Sequence, residues 1–281
     1  MPDDQILIVC VHFRRPEETA LFVKSAVQQK VNASVEVLVV DNSPQPPEEA
    51  VPESLGHLRC VTVLEPGKNL GYFGGASYAL KHYLGAHPMP TWVIVSNPDI
   101  EWPNDGVLQK LVDLHKGREP AVIAPSIRTI TSGIDQNPYM RNRPANWRML
   151  FYRWMFSTYP TDAFYQTVSW FALKVRKTIR NGAMAIRPTA PYVEAIYAPH
   201  GSFVPLHRSY FEHGGTLDYA AVLFGEEIFV GESARRLGLT VLYEPGVELR
   251  HEGHTSMGGI YNRPIARLRK DASRYLAETF F

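Results

Sequence analysis

Continuous apolar runs alternate with helical patterns over the first 125 residues, and this alternation constrains the fold more than any other feature. The apolar runs predict five strands, at residues 6–11, 35–40, 58–64, 92–96 and 121–124. Helical patterns lie between them at residues 16–29, 76–83 and 107–115. Strands that are apolar throughout are typical of parallel sheets covered by helices on both faces. The alternation therefore predicts an α/β fold with a doubly wound, mostly parallel sheet and a ligand crevice at its strand ends.

The composition excludes several classes of protein. A chain of 281 residues with 45% hydrophobic and 20% charged residues suits a soluble globular protein. Its net charge of +1 gives no general attraction for nucleic acid. Cys10 and Cys60 lack metal-type spacing, so we expect reduced thiols. The first apolar run is too short for a signal peptide, and no run approaches the ~20 residues of a membrane span. We therefore expect a cytoplasmic protein.

Asp41 ends the second predicted strand and precedes turn-forming residues. A carboxylate at this point of a parallel sheet can accept a ring N–H from a uracil or thymine base. The alternative is a local turn in which the carboxylate accepts backbone N–H groups. Both interpretations are open from the sequence.

Asn97, Pro98 and Asp99 follow the fourth predicted strand and form a second acid-bearing turn. Amide and carboxylate oxygens in such a turn can bind Mn²⁺ or Mg²⁺, with a nucleotide diphosphate completing the shell. The alternative role of Asp99 is to cap the following turn. His251, late in the chain, could complete the metal shell, although a lone histidine is by default a structural group.

Two further motifs are weaker. The segment 67–76 contains four glycines, but it matches neither the P-loop nor the dinucleotide-binding fingerprint. Glu226 and Glu227 begin a helical pattern that continues to Leu237. Acids in a first helical turn are favoured by the helix dipole, so capping is one interpretation. The other is that one of the two glutamates acts as a general base with a raised pKa.

Residues 139–182, here called the basic-aromatic segment, interrupt the strand–helix alternation. They contain eight Lys and Arg residues, ten Trp, Tyr and Phe residues after position 146, and the single acid Asp162. This mixture suits the headgroup layer of an anionic membrane or an extended anionic ligand. It equally suits an insertion that packs on the domain or forms a dimer. Residues 263–281 predict a basic amphipathic helix, which we expect to dock on the protein.

The order of these motifs resembles family 2 glycosyltransferases of GT-A fold, near the bacterial rhamnosyltransferase-like members that build surface polysaccharides. The resemblance spans nearly the whole chain. The matching motifs are His12-Phe13-Arg14-Arg15-Pro16, Val40-Asp41-Asn42-Ser43, Asn69-Leu70-Gly71-Tyr72-Phe73-Gly74-Gly75, Asn97-Pro98-Asp99, Gly225-Glu226-Glu227 and His251.

The resemblance implies roles for these residues. Asp41 would contact the base, Asp99 would bind Mn²⁺ or Mg²⁺ on the donor diphosphate, and His251 would assist. Glu227, beside Glu226, would deprotonate the acceptor hydroxyl in an inverting displacement. The implied donor-binding residues are His12, Phe13, Arg15, Asp41, Asn69, Gly71, Gly74, Gly75 and Asn97. The implied acceptor-binding residues are Gly201, Ser202 and Arg235.

The resemblance also implies an organisation and partners. Residues 1–255 would form the GT-A catalytic domain, with a nucleotide-sugar half at 1–125 and an acceptor half at 126–255. Residues 256–281 would form a helical tail. The partners that the resemblance implies are a UDP- or dTDP-sugar and a saccharide or lipid-linked acceptor. The basic-aromatic segment and the C-terminal helix add two candidate partners, the inner face of the plasma membrane and a second copy of the chain.

The sequence departs from the family pattern at a few positions, which leaves the donor and the acceptor unassigned. Arg14 and Ser77 replace the usual asparagines, and Ser233 stands where many members have arginine, a role that Arg235 or Arg236 could take. Two alternatives remain open: a sugar-1-phosphate nucleotidyltransferase, and a non-catalytic carbohydrate- or membrane-binding module.

Overall fold

The computed structural model describes residues 4–43, 49–115, 120–179, 192–253 and 262–281. The strands in this part of the chain are β1 (Gln5–His12), β2 (Ser34–Asp41), β3 (Val61–Leu64), β4 (Trp92–Ser96), β5 (Ile100–Glu101), β6 (Val122–Thr129), β7 (Glu194–Ile196), β8 (Phe203–His207) and β9 (Val241–His251). The α-helices are α1 (Pro16–Val27), α2 (Tyr72–Leu84), α3 (Val107–His115), α4 (Asn146–Met155), α5 (Tyr159–Ile179), α6 (Arg208–Glu212), α7 (Glu226–Arg236) and α8 (Arg263–Phe280).

All the strands belong to one sheet, in the order β3-β2-β1-β4-β8-β6-β9-β5, with β7 pairing to β9. The first four strands are parallel, as are β6 and β9. Strand β8 runs antiparallel between β4 and β6. The predicted α/β fold with its largely parallel central sheet is confirmed.

Helices cover both faces of the sheet and form two apolar layers. On one face, α2 contributes Phe73 and Leu80, and α7 contributes Phe229 and Val230. On the other face, side chains of α1 and α3 pack against β1 and β4. Because the strands are buried on both faces, polar side chains come together where the strands end.

Several element boundaries differ from those predicted. Helix α2 begins at Tyr72 rather than near Ala76, although Gly74 and Gly75 disfavour a helix. The Pro245-Gly246 pair is typical of a turn that ends a strand, but it forms an irregularity within β9, which continues to His251. The sequence pattern also missed β5, β7 and β8.

The basic-aromatic segment and the C-terminal helix pack against each other. Helix α8 contacts α4, α5 and α7. Arg269 of α8 donates from Nε and Nη2 to the buried carboxylate of Asp162 on α5, at 2.8 and 2.6 Å. Residues 180–182 of the segment and 256–261 of the predicted tail lie outside the described residues. Among the helices that the structure does describe, none is both long and apolar enough to cross a membrane.

Candidate active site

A cleft of about 720 Å³ lies at the carboxyl ends of β1, β2 and β4. The loop before α7, the end of β9 and the first turns of α8 complete its walls. Its lining includes Val11, Phe13, Arg15, Glu18, Asn42, Asn69, Gly71, Tyr72, Asn97, Asp99, Gln136, Tyr139, His200, Gly201, Ser202, Phe224, Glu226, Glu227, His251, Ile265 and Leu268. Topology predicts a ligand site at this edge of an α/β sheet.

Asp99 and His251 face each other in this cleft. The antiparallel pairing of β5 with β9 places Ile100 opposite His251, so that Asp99 lies at the end of the pairing. Asp99 Oδ2 is 3.2 Å from His251 Nε2. Asp99 Oδ1 is buried and has no hydrogen-bond partner. A buried carboxylate oxygen without a partner is costly, so this atom is suited to a cation or to a donor on a ligand.

Gln136 orients His251 from the opposite side. Its Oε1 lies 2.7 Å from His251 Nδ1. When Nδ1 donates to this amide oxygen, Nε2 presents a lone pair towards Asp99. The Asp99 carboxylate and the Nε2 lone pair are then two acceptors in contact, and a cation between them would stabilise both. Metal-binding histidines commonly donate their other ring N–H to an acceptor, as Nδ1 does here to Gln136.

His200 packs beside this pair, with its ring centroid 5.7 Å from that of His251. Its Nδ1 lies 2.8 Å from the Ser202 hydroxyl. Burial, and secondarily the charge of His251, lower the pKa of His200 to about 4. His200 is therefore neutral at physiological pH and adds no positive charge to the cleft.

Glu226 and Glu227 occupy the first turn of α7, after Gly225 and a strained Phe224 with a φ of 74°. The Tyr219 hydroxyl donates to the Phe224 carbonyl at 2.5 Å, which holds this turn in place. The Glu226 side chain is buried, and its Oε1 has no hydrogen-bond partner. Glu227 lies against Gly201, where a Cβ atom would be 3.0 Å from Glu227 Oε1. Any larger residue at position 201 would displace this carboxylate.

The environment of this pair favours protonated carboxyl groups. Burial and the neighbouring charge of Glu227 raise the pKa of Glu226. Burial also raises the pKa of Glu227, against the opposing effect of the Gly201 backbone N–H. A carboxylate with a raised pKa is a stronger base than an exposed one, so either residue is suited to take a proton from a hydroxyl group.

The segment 67–76 that contains four glycines, here called the glycine loop, closes the cleft through backbone contacts. Gly71 has a φ of +79°, and a Cβ atom there would lie 2.2 Å from the carbonyl oxygen of Val222. Asn42 joins this loop to the end of β2, because its Nδ2 donates to the Gly71 carbonyl at 2.8 Å. Only glycine permits this close approach and this backbone conformation.

The structure brings most of the predicted site residues together. Those that line the cleft are Phe13, Arg15, Asn69, Gly71, Asn97, Asp99, Gly201, Ser202, Glu226, Glu227 and His251. The predicted site residues outside the lining are His12, Asp41, Gly74, Gly75 and Arg235.

Local hydrogen bonds hold two of these residues, Asp41 and His12, outside the cleft lining. Asp41 accepts the backbone N–H groups of Ser43 and Val51, as in the turn alternative. His12 is fully buried between Thr19 and the Glu49 carbonyl.

The other three residues have contacts elsewhere in the fold. Gly74 and Gly75 lie within α2, and Gly75 packs against Asn42. Arg235 donates from Nε and Nη2 to the buried Glu232 carboxylate at 3.0 and 2.8 Å.

Several residues of the cleft lining were missed from the sequence as site residues, among them Asn42, Tyr72 and Gln136. Asn42 and Tyr72 stand inside quoted motifs, which was the available signal for them. The Tyr72 hydroxyl is buried and, like Asp99 Oδ1 and Glu226 Oε1, has no hydrogen-bond partner. Gln136 lies in a loop with no pattern, so nothing in the sequence indicated its contact with His251.

The residues present fit a divalent cation that is shared with a ligand. Among the described residues, no group of three or more His, Cys, Asp and Glu side chains could hold a metal ion. Asp99 and His251 would supply two ligands, one of which has an unpartnered buried oxygen. Oxygen atoms of a bound diphosphate would supply others, as is usual for Mg²⁺ at phosphate sites.

Comparisons with known proteins agree with this fold. A family profile described as Glycosyl transferase family 2 matches residues 6–179. No match is found among curated proteins. A crystal structure of GalNAc-T7 with UDP, GalNAc and Mn²⁺ superposes with a TM-score of 0.54 at 14% identity. That alignment covers 96% of this chain but only 50% of GalNAc-T7.

A second solved structure gives a weaker superposition. It is the mannosyltransferase PcManGT from Pyrobaculum calidifontis in complex with GDP-Man and Mn²⁺. The TM-score is 0.49 at 12% identity, over 98% of this chain and 72% of that one.

Proposed function

The chain belongs to glycosyl transferase family 2, and we propose that it transfers a sugar from a UDP- or dTDP-sugar to a saccharide or lipid-linked saccharide. One observation carries the proposal. The Asp99–His251 pair and the Glu226–Glu227 pair, from distant parts of the chain, line a single cleft at the ends of the parallel strands. One pair has the chemistry to hold a cation beside a diphosphate, and the other has the chemistry of a base.

The donor would occupy the side of the cleft formed by β1, β2 and β4. Asp99 and His251 would hold Mn²⁺ or Mg²⁺, which supplies positive charge to the diphosphate leaving group. GalNAc-T7, whose structure contains UDP and Mn²⁺, has the same fold and supports a uridine nucleotide here. Arg15 and Asn69, which line this side, can contact phosphate or sugar oxygens.

The acceptor would approach between α7 and the Gly201–Ser202 backbone. The Glu227 carboxylate would take the proton of the acceptor hydroxyl as its oxygen attacks the anomeric carbon. The bond from that carbon to the diphosphate oxygen breaks on the opposite face, so the configuration inverts. Glu226, whose side chain is buried, would lie next to the base. This assignment is supported by the raised pKa of both carboxyl groups and by the close contact of Glu227 with Gly201.

Within the family, we place the enzyme with the rhamnosyltransferase-like members that act in surface polysaccharide synthesis. The support is the order of the motifs from His12 to His251 and the residues that they contain. The reaction class does not depend on this narrower assignment.

A thermal-shift panel of nucleotide sugars with and without Mn²⁺ tests the proposal. UDP- or dTDP-sugars should raise the melting temperature only when Mn²⁺ is present, and GDP- and CMP-sugars should have little effect. Slow release of nucleoside diphosphate from the same donor should follow. If no nucleotide sugar changes the melting temperature under either condition, the proposed function is wrong.

A further inference from the structure

Helix α4 has a second apolar face that no described part of the protein covers. Its inner face packs through Met149 and Met155, which are buried. Its outer face carries Trp147 and Trp154, with 70% and 62% of their surface exposed, and the exposed Leu150 and Phe151. These four positions follow the i, i+3, i+4, i+7 spacing of one helix face, so the stripe is continuous.

Helix α5 carries a similar stripe. Phe164 and Phe171 are 63% and 62% exposed, and Val168 and Trp170 are half exposed. Phe164, Val168 and Phe171 follow the i, i+4, i+7 spacing. We call the exposed residues on the two helices the aromatic face: Trp147, Leu150, Phe151, Trp154, Phe164, Val168, Trp170 and Phe171.

The two helices are held firmly, so this exposure does not come from loose packing. The rings of Tyr152 and Tyr165 meet at 5.8 Å between α4 and α5. The Asp162–Arg269 ion pair fastens α5 to α8 with two hydrogen bonds. Exposed patches of large apolar side chains on a rigid surface mark sites of interaction.

Positive charge accompanies the aromatic face. Arg148 is exposed on α4 and lies over the Tyr152 ring, 5.4 Å from its centroid. Lys174 is exposed on α5 and lies 5.0 Å from the Trp170 centroid. The only acid of the basic-aromatic segment, Asp162, is buried and neutralised by Arg269.

We propose that the aromatic face binds the surface of an anionic membrane. Trp side chains favour the headgroup layer because one ring combines apolar area with a polar N–H. Each nearby Lys or Arg adds attraction to anionic lipid. A symmetric contact with a second copy would instead bring Arg148 and Lys174 of both copies together, and like charges oppose such an interface.

The helices that carry the aromatic face are linked to the cleft through α8. Helix α8, which packs on both α4 and α5, contributes Ile265 and Leu268 to the cleft lining. The membrane-binding helices therefore lie beside the proposed active site, where an acceptor anchored in lipid would reach it. The membrane proposal itself does not depend on the glycosyltransferase reaction, and its test needs neither donor nor acceptor.

Vesicle binding of the full chain tests the proposal. Vesicles of phosphatidylcholine alone should bind weakly. Vesicles of equal parts phosphatidylcholine and phosphatidylglycerol should sediment the protein, and added salt should reverse this. Trp147→Ser with Trp154→Ser should lower the partition coefficient by more than about tenfold. Arg148→Gln should lower it about fivefold, and only on anionic vesicles, as expected for one charge.

A control variant on another helix and a second variant of the aromatic face separate loss of vesicle binding from loss of folding. Leu21 on α1 is 68% exposed, and Leu21→Ser should leave vesicle binding unchanged. Phe164→Ser with Phe171→Ser should reduce binding as the tryptophan variant does. All variants should keep the wild-type melting temperature, because the substituted side chains are exposed. Brominated lipids should quench the tryptophan fluorescence of the wild type but much less that of the double tryptophan variant.

Three outcomes would overturn the proposal. One is that the wild type fails to bind anionic vesicles, and another is that the double variants bind them as well as the wild type. The third is found by sedimentation velocity: a wild-type dimer that dissociates in both double variants would show that a second copy covers the aromatic face.

Discussion

Asp99 Oδ2 and His251 Nε2 lie 3.2 Å apart, although the two residues belong to opposite halves of the chain. The two-residue strand β5 makes this contact possible by pairing Ile100 with His251. Gln136 then fixes the ring from its other nitrogen. This arrangement gives the cleft an acceptor-rich corner that shares its lining with Glu226 and Glu227, which is a suitable place for a cation and a diphosphate.

Substitution of Asp99 tests its role as a metal ligand. Asp99→Asn should weaken donor binding in the presence of Mn²⁺ by more than about 100-fold, measured by calorimetry, since one of two protein ligands is lost. The variant should be at least as stable as the wild type, because the charge of a carboxylate with a buried, unpartnered oxygen is removed. Asp113→Asn, on the exposed side of α3, is the control. Unchanged affinity in Asp99→Asn would exclude Asp99 as a ligand.

The two glutamates can be separated by single substitutions. Glu227→Gln should bind the donor normally and lose transfer by about 10²–10⁴-fold, the usual effect of removing a positioned base. Glu226→Gln should retain far more activity, because the Glu226 side chain is buried, whereas Glu227 lies against the Gly201 backbone where the acceptor would approach. Steady-state rates and donor affinities of both variants show which glutamate is the general base. If Glu226→Gln is the inactive variant, the base has been assigned to the wrong residue.

The raised pKa of Glu226 also predicts a pH dependence of stability. Its pKa is higher in the folded protein than in the unfolded chain, so its ionisation opposes folding as the pH rises through that interval. Glu226→Gln cannot ionise, and its free energy of unfolding should exceed that of the wild type increasingly from mildly acidic to mildly alkaline pH. Each unit of pKa difference corresponds to about 1.4 kcal/mol. Urea unfolding across this range measures the effect, and a constant difference between the two proteins would contradict it.

The backbone of the glycine loop can be tested with a matched pair of glycines. Gly71 and Gly133 both have positive φ, but only at Gly71 would a Cβ atom meet another backbone, at 2.2 Å from the Val222 oxygen. Gly133→Ala should cost about 1–2 kcal/mol from its backbone conformation alone. Gly71→Ala should cost more and should also weaken donor binding, because the loop must move. Equal losses of stability with unchanged donor binding would show that the loop adapts freely.

The sequence predicted the residues that stand at strand ends more reliably than those that meet through irregular backbone. Asp99 follows a buried strand and precedes a turn, so its place in the cleft followed from topology. His251 could be paired with it only by its chemistry as a metal ligand and by the family resemblance, because the antiparallel strands β5 and β9 were not predicted together. Gln136 has no signal at all, since its contact depends on how a loop folds over β9.

Other differences come from tertiary contacts that outweigh local preference. Pro205 stands inside β8, and proline argues against a central strand, yet β8 lies between β4 and β6. Gly74 and Gly75 suggested a ligand loop, but they lie in α2, and Gly75 allows the helix to approach Asn42 closely. Arg235 was expected near the acceptor, but the buried Glu232 draws it into an ion pair.

The most direct test of the site is anomalous diffraction from crystals grown with UDP and Mn²⁺. We expect one manganese peak beside the Asp99 carboxylate and His251 Nε2, with the diphosphate on its open side and Glu227 facing the same cleft. A nucleotide bound with manganese elsewhere, or bound in this cleft with no metal at Asp99, would contradict the account.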